Sequence, residues 1–292
     1  MTPVIEKTPE QEVSLLRAHW ATIGWLATLL AICYWPVLTR LVSQWNNDED
    51  MSHGFFVPIL ATYIAWQNRT EFLNTPVRPS WSGLALVIYA GVQVLVATLG
   101  AELFLARTAI VLSIIGAVWF LGGAERLRVM AFPLFLLFFM VPIPAIIYNQ
   151  ITFPLQLMAS RLAEWALMFI GIPVLREGNV LELAGQKLSV VEACSGIRSL
   201  LSLSFLSLVY GYFFEKKIGM RVLLFAATVP IAILANASRV TLTGILSEIR
   251  PELAHGFFHS ASGWVIFMVA LMILAAFHQI ADRAYRVIHA GR

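Results

Sequence analysis

Apolar residues run along this chain in long blocks broken by short polar clusters. Eight blocks have the character of membrane crossings, at roughly residues 20–40, 54–67, 82–99, 105–121, 127–142, 196–214, 222–247 and 262–281. The second is short. It begins Ser52-His53-Gly54-Phe55-Phe56 and either extends outward through the polar loop or tilts less than its neighbours. Between the fifth and sixth blocks the pattern changes. From Thr152 to Ile170 apolar residues recur at helical spacing, interrupted by Gln156, Arg161 and Glu164, which predicts a helix lying along the interface or lining the bundle rather than a crossing. From Gly178 to Val191 apolar and polar positions alternate about Gly185-Gln186, which predicts a small β-hairpin delivering the chain to Cys194. The predicted fold is an all-α polytopic membrane protein of about eight transmembrane helices, with a small extracytoplasmic β-hairpin before Cys194.

Composition agrees with that reading. Of 292 residues, 59% are hydrophobic and 13% charged, with a mean hydropathy of +0.77, whereas soluble chains carry about a quarter charged residues. The expected organisation is a cytoplasmic segment 1–19, one integral membrane domain 20–281 with 143–193 as an extracytoplasmic or interfacial insert, and a basic cytoplasmic tail 282–292. The pI near 9.0 comes from Lys and Arg clustered between apolar runs, a pattern that sets membrane orientation and argues against nucleic acid as a partner. Arg69 and Arg78, then Arg126 and Arg128, then Lys216, Lys217 and Arg221, then Arg283, Arg286 and Arg292 mark the cytoplasmic side, with both termini. The acidic loop Gln44 to Asp50 faces outward, and membrane lipids are the surrounding partner. The first seventeen residues are polar and no small-residue cleavage site follows the first apolar run, so the N-terminus is expected to be retained. Cys33 and Cys194 lie at different predicted depths, so two separate thiols are expected rather than a disulfide.

Three groups bring reactive or costly chemistry to one membrane level. Cys194, in Glu192-Ala193-Cys194-Ser195-Gly196-Ile197-Arg198, stands where the hairpin enters the sixth crossing. A helix N-terminus and Arg198 one turn on would lower the thiol pKa and favour the thiolate. A lone cysteine in an apolar helix is otherwise a small buried hydrophobe. Arg239 lies inside the seventh crossing, where a guanidinium is expensive and is usually kept for a pathway, a partner or a reaction. Asn236 is one turn away on the same face, and together they would bind a carbonyl or an oxyanion. The structural alternative is an ion pair with Glu192 or Glu248. His259 opens the eighth crossing and would serve a neighbouring thiol as acid and base. His255, one turn earlier, competes, and spacing alone does not rank the two.

Other readings weigh less. His53-Gly54-Phe55-Phe56 and His255-Gly256-Phe257-Phe258 repeat four residues, but their flanks differ and chance explains the repeat. No His-Glu-x-x-His element occurs, so neither a metal nor another cofactor is expected. A serine protease using Ser195 or Ser238 lacks a Gly-x-Ser-x-Gly element. The main rival to an enzyme is a transporter or channel in which the intramembrane Arg binds an anionic solute. Against it, the polar groups cluster at one face, and none lies deep in the inner half of the crossings.

In order along the chain, Ser52-His53-Gly54, Phe132-Pro133, Val141-Pro142-Ile143-Pro144, Glu192 to Arg198, Asn236-Ala237-Ser238-Arg239 and His259-Ser260-Ala261-Ser262-Gly263-Trp264 resemble the exosortases. These are membrane enzymes paired with exported proteins that end in a Pro-Glu-Pro signal, a transmembrane helix and a basic tail. The resemblance implies a cysteine peptidase or transpeptidase with Cys194 as nucleophile, Arg239 as oxyanion stabiliser and His259 as acid and base. It ranks His259 above His255, because Gly263-Trp264 follows at the family's spacing. Glu192, Ser195, Gly196, Arg198, Asn236, His255 and His53 are the supporting or substrate-binding set. The implied location is the cytoplasmic (inner) membrane, with the site facing the periplasm or exterior.

Overall fold

A computed structural model describes the backbone at 24–184, 187–190, 196–249 and 257–290, and side chains there except at 49, 196–198, 257–262 and 288–290. The chain is mainly helical and divides into two compact units, one formed by residues up to 48 together with 54–141, the other by 49–53 and the residues from 142 onward.

In the first unit α1 (Gly24–Cys33) meets α2 (Trp35–Asn47) at 80°. Pro36 lies at the start of α2, where its missing N–H costs no helical hydrogen bond. A 3₁₀ turn (Glu49–Phe55), which straddles the unit boundary, leads to α3 (Phe56–Gln67) and α4 (Arg69–Asn74). Gly54 is required where it stands, because the Trp45 indole packs against its bare Cα while Trp45 Nε1 donates to the Met140 carbonyl at 3.0 Å.

The long hairpin of this unit is α5 (Trp81–Leu99) against α6 (Leu103–Val129). Its seam is built from small residues. Gly83, Ala90 and Ala97 recur at heptad spacing on α5 and face the stretch from Ala106 to Gly116 on α6. A Cβ on Gly83 would strike the Phe120 backbone, and one on Gly116 would meet Val87 Cγ2 at 2.8 Å. In lipid, apolar burial does not drive helix pairing, and close backbone approach through small residues takes its place. Glu102 caps α6 by accepting the Leu105 N–H at 2.6 Å. Near the far end Gly123 adopts a φ of 84° beside the Arg78 carbonyl, a conformation and a fit that only glycine allows easily. The block expected at 127–142 is α7 (Ala131–Leu136) followed by one 3₁₀ turn (Leu137–Met140).

The second unit opens with α8 (Ala145–Ile170), ended by Gly171 in the left-handed region at φ 92°. Three antiparallel strands follow, β1 (Val174–Glu177), β2 (Val180–Leu183) and β3 (Lys187–Ser189), in that spatial order. The expected hairpin is β2–β3, with Leu181 opposite Leu188, while β1 joins through Gly178-Asn179 as an addition. The polar residues of α8 hold this sheet. Glu164 binds Arg176 Nε at 2.7 Å, Gln156 accepts from Asn179 Nδ2 at 3.2 Å, and Ser160 Oγ donates to the Gly178 carbonyl at 3.0 Å. The other face of the sheet's core is apolar, Leu181, Leu183, Leu188 and Val190 packing with Ala163, Leu167 and Val240.

The chain then forms α9 (Gly196–Phe214), α10 (Ile218–Ile249) and α11 (Phe257–Ala290), which share a core of Leu203, Leu224, Ile231, Ala270 and Leu274. By length and apolar composition the described residues hold four helices able to cross a membrane, or up to six if each bent pair is one span. The second expected crossing is the twelve-residue α3, too short alone. The 152–170 helix begins earlier than expected, at Ala145.

Candidate active site

The site is assembled within the second unit by the antiparallel packing of α9, α10 and α11. Ser204 Oγ lies 3.2 Å from Thr228 Oγ1, and a methyl group at Gly211 would touch Arg221 Cγ at 3.4 Å. Both helices rise about 1.5 Å per residue, so the level joining these pairs continues to join Gly196 with Asn236. Pro230 interrupts α10 between them, yet the register survives it, because Leu200 and Asn236 line the same small crevice with Ile233 and Leu155. The start of α9 therefore lies beside the Asn236–Arg239 turn.

Asn236 is buried, at 5% exposure, and Arg239 is half-buried on the same face. The guanidinium reaches across to α11. A methyl group added at Gly263 would meet Arg239 Cζ and Nη2 at 3.1 Å and Nη1 at 3.4 Å. His259 is on α11 four residues before Gly263, one turn on the same face and about 6 Å along the axis. Val240, next to Arg239, packs into the core of the three-stranded sheet, so the sheet that precedes Cys194 also meets α10 at this level.

Two helix N-termini face this end, those of α9 and α11, while α10 runs on past it to Ile249. α-Helix starts carry roughly half a unit of positive charge each. With Arg239 they make this end of the bundle favourable to developing negative charge. Glu248, one ion-pair alternative for Arg239, is exposed and nine residues further on, half a turn around the helix, on the opposite face.

The structure places Asn236 in a crevice with Leu200, one turn into α9 from Gly196, and Arg239 against Gly263, one turn along α11 from the backbone position of His259; the Arg198 side chain lies outside the described residues. Cys194, Glu192, Ser195 and His255 lie outside the described residues. His53 is buried on a different element, the 3₁₀ turn, where Asp50 accepts from Tyr148 Oη at 2.6 Å. Gly263 is the contribution that residue chemistry overlooked. The signal was a glycine inside a helix, one turn after a histidine, with no turn to explain it.

At the other end of the bundle, outside the expected site, Glu215 and His278 are both buried. His278 Nε2 is 3.3 Å from Glu215 Oε2, its Nδ1 is 3.0 Å from Tyr210 Oη, and Glu215 Oε1 accepts the Lys217 N–H at 2.8 Å. This satisfied cluster clips α9, the α9–α10 turn and α11 together.

A family model described as Transmembrane exosortase (Exosortase_EpsH) matches residues 45–276, a span that includes Cys194, Arg239 and His259. Comparison with curated proteins and with solved structures found no match.

Proposed function

We infer that this chain, which belongs to the transmembrane exosortase family, is a membrane-embedded cysteine transpeptidase or protease that processes C-terminal sorting signals of exported proteins. The observation that carries the reading is the Arg239 guanidinium lying over Gly263, one helical turn from His259, at the end where α9 begins. Two peptide links connect Gly196 to Cys194, so the sulfur's residue is tethered within about 7 Å of that helix start.

In this mechanism the Cys194 thiol gives its proton to the His259 imidazole, and the thiolate attacks the carbonyl carbon of the scissile peptide bond. Helix N-termini and Arg198 favour the thiolate. Arg239 and Asn236 donate hydrogen bonds to the oxyanion as the C–O bond gains single-bond character. The C–N bond then breaks, and imidazolium returns the proton to the leaving amine. A thioester remains on Cys194. An acceptor amine resolves it by transpeptidation, or water by hydrolysis, with His259 removing the attacking group's proton.

The substrate is held by its own transmembrane helix, which restricts its orientation relative to the enzyme and lowers the entropic part of the barrier. Eight crossings, cytoplasmic termini and a site facing the periplasm or exterior complete the proposal, supported by the distribution of Lys and Arg between apolar runs. The test is co-expression with an exported protein ending in Pro-Glu-Pro, a helix and a basic tail, followed by mass analysis of its C-terminus. A shortened chain with an added amine signifies transfer, and one shortened by hydrolysis alone signifies protease action. An unprocessed chain, or equal processing by Cys194→Ala, contradicts the proposal.

A further inference from the structure

Arg107 lies on α6 one turn inside its start and is only 5% exposed. Its Nε is buried and has no hydrogen-bond partner among the described residues. A second buried arginine on the same helix shows what satisfaction looks like. Arg126 donates from Nε to the Thr75 carbonyl at 3.0 Å and from Nη2 to Leu73 at 3.3 Å, and its guanidinium stacks over Phe72. The carboxylate nearest in sequence to Arg107, that of Glu102, is engaged in capping Leu105. Glu102 still attracts Arg107 through space, but the buried Nε is left without an acceptor, a cost that an anion from outside the chain would relieve.

Arg107 lines an open groove of about 610 Å³ between α2 and the start of α6. The α2 wall of this groove is polar at helical spacing, with Arg40 and Gln44 in one row and Ser43 and Asn47 in the next, and Asp48 at its end accepts from Gln44 Nε2 at 3.5 Å. The opposite face of α2 is buried through Leu41 and Trp45. Leu103, 41% exposed, gives the groove an apolar edge on the α6 side. Because α2 bends away from α1 by 80° and is polar along one row, it has the form of a helix lying at a bilayer interface.

We propose that this groove binds the phosphodiester of a membrane phospholipid, with Arg107 and Arg40 on the phosphate and Ser43, Gln44 and Asn47 donating to its oxygens. Two guanidinium groups suit a phosphate, which accepts bidentate, charge-assisted hydrogen bonds. The Leu103 edge favours a lipid over free phosphate, since it offers an acyl chain an apolar surface beside the headgroup site. The site lies wholly within the first unit and is independent of the cysteine chemistry proposed above.

The test uses the full-length protein, stripped of lipid in detergent, and follows its thermal midpoint on adding a short-chain phospholipid or inorganic phosphate. Wild-type protein is expected to gain several degrees with the phospholipid and far less with phosphate at the same concentration. Arg107→Gln is expected to match or exceed wild type without lipid, having lost a buried charge whose Nε has no acceptor, and to gain nothing from lipid. Arg40→Gln, a milder change on the groove wall, is expected to weaken the lipid response about tenfold in the concentration required. An undiminished lipid response in both variants would overturn the assignment. So would a response to inorganic phosphate as strong as that to phospholipid, which would make the source a soluble anion.

Discussion

Replacing Gly263 separates the proposed chemistry from the stability of the helix that carries it. In Gly263→Ala the new methyl group would sit 3.1 Å from Arg239 Cζ and Nη2. Comfortable separation for such atoms begins near 3.5 Å, so the guanidinium must retreat by roughly half an ångström. A misplacement of about 1 Å in a catalytic group can cost about a hundredfold in rate, and half that displacement corresponds to about tenfold, or ~1.4 kcal/mol of barrier. Helix propensity acts in the other direction, because alanine is better than glycine in a helix interior by ~0.8–1.0 kcal/mol. The expected result is a tenfold fall in kcat with an unchanged or raised thermal midpoint. Gly263→Leu, bulkier on the same face, is expected to lose about a hundredfold. Cleavage of a sorting-signal substrate by purified enzyme in lipid discs, scored beside thermal unfolding, gives both quantities. Wild-type kcat in both variants would refute the role given to the guanidinium, and so would an activity loss matched by a fall in thermal midpoint.

Arg239→Gln is expected to lower kcat by about 10²–10³, the range for removing an oxyanion donor, and Arg239→Lys is expected to rescue little because an ammonium lacks the planar fork. A rescued lysine variant would make Arg239 a simple positive charge. At the opposite end of the bundle, the Lys217 backbone N–H chiefly holds the Glu215 carboxyl below its ordinary value of 4.5, against the effect of burial and with help from His278. Stability from that depressed group is present above the ordinary value and is lost as pH falls through the lowered one. Thermal midpoints measured downward from pH 5 should therefore drop in wild type and drop less in Glu215→Gln. His278→Leu removes the ring-nitrogen partners of Glu215 Oε2 and Tyr210 Oη and is expected to cost about 1–3 kcal/mol by chemical denaturation. Gly83→Leu, whose side chain would strike the Phe120 backbone, is expected to separate α5 from α6 and to lower folded yield, as read by size-exclusion profile.

The helices that could be read from sequence are those whose apolar runs are long enough to cross a membrane. Trp81–Leu99, Ile218–Ile249 and the core of Phe257–Ala290 follow their blocks closely. Pro230 did not break α10, because neighbouring helices can support the freed backbone groups of a transmembrane helix. The 127–142 block divides into α7 and a 3₁₀ turn ahead of Pro142 and Pro144, where residues preceding proline leave the helical region. Strand β1 escaped notice because it is four residues long and follows Pro173, too short for alternation to register. By sequence Gln156 and Glu164 mark a helix at the interface or lining the bundle; in the structure they bind the sheet, a partner that exists only once the chain folds back. At the candidate site, Arg239 and Asn236 could be read because charge and amide are rare within apolar runs. The contact of Gly263 with Arg239 and the burial of Arg107 could not, since each depends on what packs against the residue rather than on its type.

The convergence of Cys194 with His259 is most directly measured by crosslinking. Cys33, an exposed thiol on α1, is first replaced by serine, and His259→Cys is introduced beside the native Cys194. Cysteines whose Cα atoms lie within about 7 Å form a disulfide under mild oxidation. Rapid formation in the membrane is predicted for this pair, seen as an intramolecular mass loss of two hydrogens. A matched Phe277→Cys variant, at the opposite end of α11, should form none. Equal crosslinking in both, or none at position 259 even with a short bifunctional reagent, would contradict the account.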